Sequence, residues 1–109
     1  MPTYEVIESL VQSIEIPKDG TLSRTLHRDD RVKIVLFAFA GGQELSQHTA
    51  SVPAIIEIVQ GDVRVTLDSE EKEMSSGSWI FMEADLPHAV YAKTDAVMLL
   101  TMLTSAEHK

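Results

Sequence analysis

Short apolar runs, rich in β-branched and aromatic residues and interrupted by glycine, proline and aspartate every 8 to 12 residues, most narrow what this chain can fold into. Val32 to Ala40, Ala54 to Gln60, Asp62 to Leu67, Ser78 to Met82, Pro87 to Lys93 and Ala96 to Thr104 all have strand composition. Gly41-Gly42, Gly61, Ser75-Ser76-Gly77 and Thr94-Asp95 punctuate them. Many short strands separated in this way predict an all-β sandwich or barrel. Val63, Val65 and Leu67 fall on one face of their run, with Arg64 and Thr66 on the other, as in a half-buried strand. Val32 to Ala40, after Lys33, and Ala96 to Thr104 are apolar on both faces, as in strands buried on both sides. Two such strands exceed what one small barrel needs to bury. A homodimer is therefore expected, because obligate interfaces resemble a core cut in half.

The remaining segments read less sharply. Val6, Ile7, Leu10, Val11 and Ile14 are spaced as in a short amphipathic helix, while Ser13 to Ile16 alternates like a strand. A short helical or irregular arm leading into a strand is expected there. Lys18-Asp19-Gly20 reads as a turn and Thr21 to His27 as a strand. His27-Arg28-Asp29-Asp30-Arg31 reads as a charged turn with a solvated histidine. Asp68 to Glu73 reads as a charged hairpin tip, and Ser105 to Lys109 as a polar tail. Trp79, Phe81 and Met82 are expected to pack in the core.

With 109 residues the chain suits one domain, residues 1–109, with its core at about 32–104 and an N-terminal arm at 1–20. Seventeen acidic against nine basic side chains give a net charge of -8, a field that repels nucleic-acid phosphate and anionic membranes. No apolar run approaches the roughly 20 residues needed to span a bilayer. Met1-Pro2-Thr3-Tyr4-Glu5 lacks the basic segment of a secretory signal, so a cytoplasmic location is expected. Cysteine is absent, which excludes disulfides and thiolate metal sites. No phosphate-cradling loop, nucleophile elbow or cysteine–histidine pair is present, and no catalytic residue is assigned.

Two histidines stand at suggestive intervals. Gly42 is followed after five residues by His48, and Gly61 closes the same stretch; Gly77 is followed downstream by His88. This resembles the two motifs of the cupin superfamily: glycine, five residues, His-x-His, three or four residues, Glu, six residues, glycine; then glycine, five residues, Pro-x-Gly, two residues, His, three residues, Asn. The resemblance covers roughly Val32 to Thr104. It implies a double-stranded β-helix, or jelly-roll barrel, with His48 and His88 facing one cavity. The chain departs from the pattern at Ala50 and Ala54, in place of the second histidine and the glutamate. Glu83, Asp85 and Ala92 replace the proline, glycine and asparagine.

Alternation from these positions predicts a pocket lined by His48, Ala50, Ala54, Ile56, Ile58, His88, Val90 and Ala92, mainly apolar with two polar groups. As metal ligands, His48 and His88 form an incomplete set. Structural zinc takes four protein ligands and catalytic zinc usually three, while a two-histidine iron site needs a carboxylate that Ala54 cannot provide. Glu57 should point outward unless the strand slips by one residue; Glu44 and Gln47 lie in the loop before His48 and could reach round. The leading expectation is a binder of a small molecule, with a divalent ion (Zn, Fe, Mn or Ni) as a possible cofactor. The alternatives are a metal-dependent dioxygenase or isomerase, in which the ion acts as a Lewis acid, and a non-catalytic structural or interaction module.

Overall fold

The structure, a computed structural model, describes residues 3–107. Among them nine strands run in order: β1 (Thr21–Arg28), β2 (Lys33–Phe39), β3 (Glu44–His48), β4 (Ala54–Gln60), β5 (Val63–Leu67), β6 (Glu70–Met74), β7 (Trp79–Met82), β8 (His88–Ala92) and β9 (Ala96–Met102). They form two antiparallel sheets, one ordered β1-β2-β9-β4-β7 and the other β3-β8-β5-β6. Short 3-10 turns occupy Val11–Ser13 and Thr104–Glu107. No helix of the described residues is long and apolar enough to cross a membrane.

Strand alternation builds the core. Ala54, Ile56 and Ile58 of β4, Ala96 and Met98 of β9, Met82 of β7 and Phe39 of β2 turn inward from the five-stranded sheet. They meet Val63 and Val65 of β5 and Val90 and Ala92 of β8. The all-β barrel expected from the punctuated runs is the observed architecture.

Two segments differ from expectation. Glu44 and Gln47, expected in a loop before His48, belong to strand β3 (Glu44–His48), and most of the charged run Asp68 to Glu73, expected as a hairpin tip, belongs to strand β6 (Glu70–Met74). Neither has the composition of a strand. Each is recruited by its ladder with a stronger neighbour, β8 for β3 and β5 for β6, and each sits at an edge of the four-stranded sheet. Charged side chains suit such an edge because they oppose pairing with a second chain. The hairpin tip itself is only Asp68-Ser69, with Asp68 at φ 60°.

The N-terminal arm lies across the outer face of β1 and β2. It is irregular apart from its 3-10 turn, and Arg24 Nη1 donates to the Ser13 carbonyl at 2.7 Å. Leu36, Ala38 and Val97 alternate with the inward-facing Phe37, Phe39 and Met98, so they point to this outer face, yet all three are fully buried. The doubly apolar character of β2 and β9 is thus absorbed within one chain and does not by itself require a second subunit. The exposed large apolar side chains of this sheet lie instead on its edge strands, Leu22 on β1 and Trp79 and Phe81 on β7. Trp79 is 59% and Phe81 46% exposed, which corrects their expected place in the core; Met82 between the sheets is buried.

His27 clamps the arm. Its Nδ1 lies 2.6 Å from Glu5 Oε1 and its Nε2 2.8 Å from Asp29 Oδ2. A neutral imidazole would turn an unprotonated nitrogen toward one carboxylate, so this geometry favours the imidazolium. The Asp29 hydrogen bond, followed by that of Glu5, raises the His27 pKa above its ordinary 6.5. Asp29 is held well below the usual carboxylate range, mainly by His27 and also by the Arg31 and Val32 amides. Because the folded pKa of His27 is raised, its contribution is complete below about pH 6.5 and is lost as pH rises through the raised value. Asp29 contributes above its unfolded pKa, near 4, and its share is lost as pH falls further. The Tm difference between wild type and His27→Gln is therefore expected to be greatest near pH 5 to 6 and to shrink towards pH 9. A difference that grows with pH would rule out the charged clamp.

Candidate functional site

His48 and His88 come together through an irregularity in the β3–β8 ladder. Leu45 pairs with Val90, but the next recorded pair is His48 with His88, three steps along β3 for two along β8. An unbroken register would set Gln47 opposite His88. The extra residue shifts the register as a β-bulge does, turning the following side chains to the other face. It puts the two imidazole rings 4.3 Å apart between centroids, tilted by 58°.

Each ring is oriented by the carbonyl two residues before it. His48 Nδ1 lies 2.8 Å from the Ser46 carbonyl and His88 Nδ1 2.8 Å from the Leu86 carbonyl. A carbonyl only accepts, so Nδ1 carries the proton, and in the neutral ring the lone pair is left on Nε2. His88 is 7% exposed, the buried polar side chain of the described residues, whereas His48 is exposed. The connections beside them are tied together: the Asp85 amide donates to the Ala50 carbonyl at 2.7 Å, and the Asp68 amide to Pro87 at 2.7 Å. Asp85 itself has φ 68°, a turn at the position where the motif carries glycine.

The eight residues expected to line a pocket are divided along the barrel. Ala50 and Ala54 follow His48 directly through the crossing to β4, and Ala54 is opposite Met82 and Met102. Ile56 and Val90 lie deeper, each about 1% exposed. Ile58 and Ala92 lie at the far end of their strands, four residues or about 13 Å beyond Ala54 and His88, packed in the core at 0% exposure. The histidine end also includes Leu67, opposite His88, and Met82 and Met102, which the motifs did not single out. Their strands carry the right alternation, but only the pairing register shows which inward residues share an end with the histidines.

The acids weighed as substitute ligands point elsewhere. Glu57 is exposed on the outer face, in line with Trp79 and Leu99, and Glu44 is exposed opposite the outward Tyr91. Gln47 is exposed as well. Among the described residues, no group of three or more His, Cys, Asp or Glu side chains is placed to hold a metal. The donors present fit a divalent ion at two positions, His48 Nε2 and His88 Nε2, with the others left to water or to a ligand. Chemically, each neutral ring keeps an Nε2 lone pair for a hydrogen-bond donor or a cation, and the two rings lie 4.3 Å apart.

No curated protein matches the chain. A conserved protein of unknown function from Streptococcus pyogenes has a similar structure, with 33% identity, 94% of this chain and 90% of that one covered, and a TM-score of 0.83. A cupin superfamily protein from Desulfitobacterium hafniense is 27% identical over 94% of each chain, with a TM-score of 0.84. A variant salicylate 1,2-dioxygenase from Pseudoaminobacter salicylatoxidans, solved with gentisate, shares the fold at a TM-score of 0.75. That likeness is of fold alone, at 12% identity over 80% of this chain and 26% of the other. The family model for the cupin domain matches residues 35–104, well over half of the sequence and both histidines within it. The chain belongs to the cupin superfamily.

Proposed function

We propose that this protein binds a small molecule at the histidine end of the barrel. In this reading Nε2 of His48 and His88 accept hydrogen bonds from its polar end, and its apolar part rests against Ala50, Ala54 and Leu67. The observation that carries the reading is the matched orientation of the rings, both with Nδ1 turned to a backbone carbonyl. Ring orientation by a backbone acceptor supports the reading, since it fixes the tautomer and leaves Nε2 as the acceptor before anything binds.

The same orientation favours a second reading, because metal-bound histidines commonly donate their other nitrogen to a carbonyl or carboxylate. His48 and His88 would then hold a divalent ion, and the ligand would complete its coordination. Such an ion, when bound, supplies Lewis-acid polarisation of an attached oxygen.

A thermal-shift screen with small hydroxylated and amine-bearing compounds tests the proposal. A ligand present at about 100 times its Kd stabilises by about 2.7 kcal/mol, enough to raise Tm by roughly 10 °C in a domain of this size. His48→Ala, at an exposed position, should fold normally and lose that shift. Elemental analysis of untagged protein separates the two readings: near one metal per chain, lost in His88→Ala, favours the ion. Ligands that stabilise His48→Ala and His88→Ala as much as wild type would place binding elsewhere and end the proposal.

A further inference from the structure

The outer side of the five-stranded sheet carries a cleft of its own. A cleft of about 570 Å³ separates the N-terminal arm from β1 and β2, roofed by Ile7 and Leu10 of the arm and floored by Leu26 and Ile34. That volume lies within the range of small-molecule sites, roughly 300–1,000 Å³. Here the arm is tied down at two points, Glu5 to His27 and the Ser13 carbonyl to Arg24, so that it bridges the strands between them.

The rim limits what can enter. Two carboxylates, Glu5 and Asp29, face two cationic groups, His27 and Arg31, with Arg31 Nη2 3.1 Å from Asp29 Oδ2. Paired in this way the four groups present little net field, and they give an anion or a cation no unmatched partner. Tyr4, also on the rim and 76% exposed, offers an aromatic face and a hydroxyl. Leu26 and Ile34 face away from the barrel interior, so the whole sheet stands between this cleft and His88.

We propose that this cleft is a second binding site, for a neutral and largely apolar small molecule such as a fused aromatic ring system or a medium alkyl chain. The arm is its roof, and the cleft is open to solvent without any movement of the arm.

The test is a titration of the full chain with N-phenyl-1-naphthylamine, a neutral probe whose fluorescence rises in apolar surroundings. Saturable binding of one probe per chain is expected, unchanged in His48→Ala and weakened at least tenfold in Leu10→Asp and Ile34→Asp, with circular dichroism confirming that the variants fold. Methyl NMR on the wild type decides the matter if either variant does not fold. The probe should shift the methyl resonances of Ile7, Leu10, Leu26 and Ile34 and leave those of Ile56 and Val90 in place. The proposal is overturned by an absence of saturable binding, by equal binding to both folded Asp variants, or by methyl shifts confined to Ile55 and Val59 near the exposed Trp79 and Phe81.

Discussion

Gly61→Ala is expected to destabilise the protein by roughly 3–5 kcal/mol, the sum of a strained backbone and a forced collision. Gly61 has φ +90°, and a Cβ placed there would lie 2.2 Å from the Asp95 carbonyl oxygen and 2.9 Å from the Ala96 Cα. Both obstacles are backbone atoms, held by the pairing of β4 with β9, and neither can swing aside as a side chain would. Gly42 and Gly77 provide the control. They share the positive φ, at 91° and 93°, but a Cβ on either meets nothing within 4 Å. Alanine there should cost only about 1–2 kcal/mol. Urea unfolding of the three variants checks the contrast, and equal losses at Gly61 and Gly77 would show that the β4–β5 turn does not need its close approach to Asp95. For a domain whose total stability is about 5–15 kcal/mol, the difference decides whether the variant is folded at 37 °C.

Phe39→Ala should cost a similar amount, about 3–5 kcal/mol, through lost burial and the cavity left behind. Phe39 is completely enclosed, pairs with Ala96 across the ladder and stacks on Phe37 at 6.0 Å between centroids. Tm should fall by about 12 °C or more. The ring sits where β2 runs into Gly41-Gly42, whereas the histidines lie at the other ends of β3 and β8. In the cold, where the variant is still folded, ligand or metal binding at His48 and His88 should therefore match wild type. Loss of binding under those conditions would mean that the two ends of the barrel are coupled through the core.

The fold was legible because its main signals are local. Alternation along Asp62 to Leu67 and the glycines between runs report directly on which side chains turn inward and where the chain reverses. Segments without local signal are not legible in this way. β3 and β6 have the composition of loops and become strands only because β8 and β5 present unpaired backbone groups to them. Trp79 and Phe81 look like core residues, yet they alternate onto an outer face that the arm does not reach. The arm shows the same limit from the other side, since its seat over Leu26 and Ile34 depends on where it lies rather than on its own pattern.

From its residues alone, then, this chain declares an all-β barrel, a cupin-like spacing of His48 and His88, and the loss of two motif ligands at Ala50 and Ala54. The tertiary structure alone decides that the histidines meet, since regular pairing would have set Gln47 against His88 and only the bulge in β3 brings His48 there. It also decides the tautomer each ring presents, and that His27 is a clamp rather than a solvated side chain. The reason is common to all three. Alternation is a property of one strand, whereas register, ring orientation and ion pairing belong to two segments at once, and their relative placement is settled only when the sheets and the arm pack together.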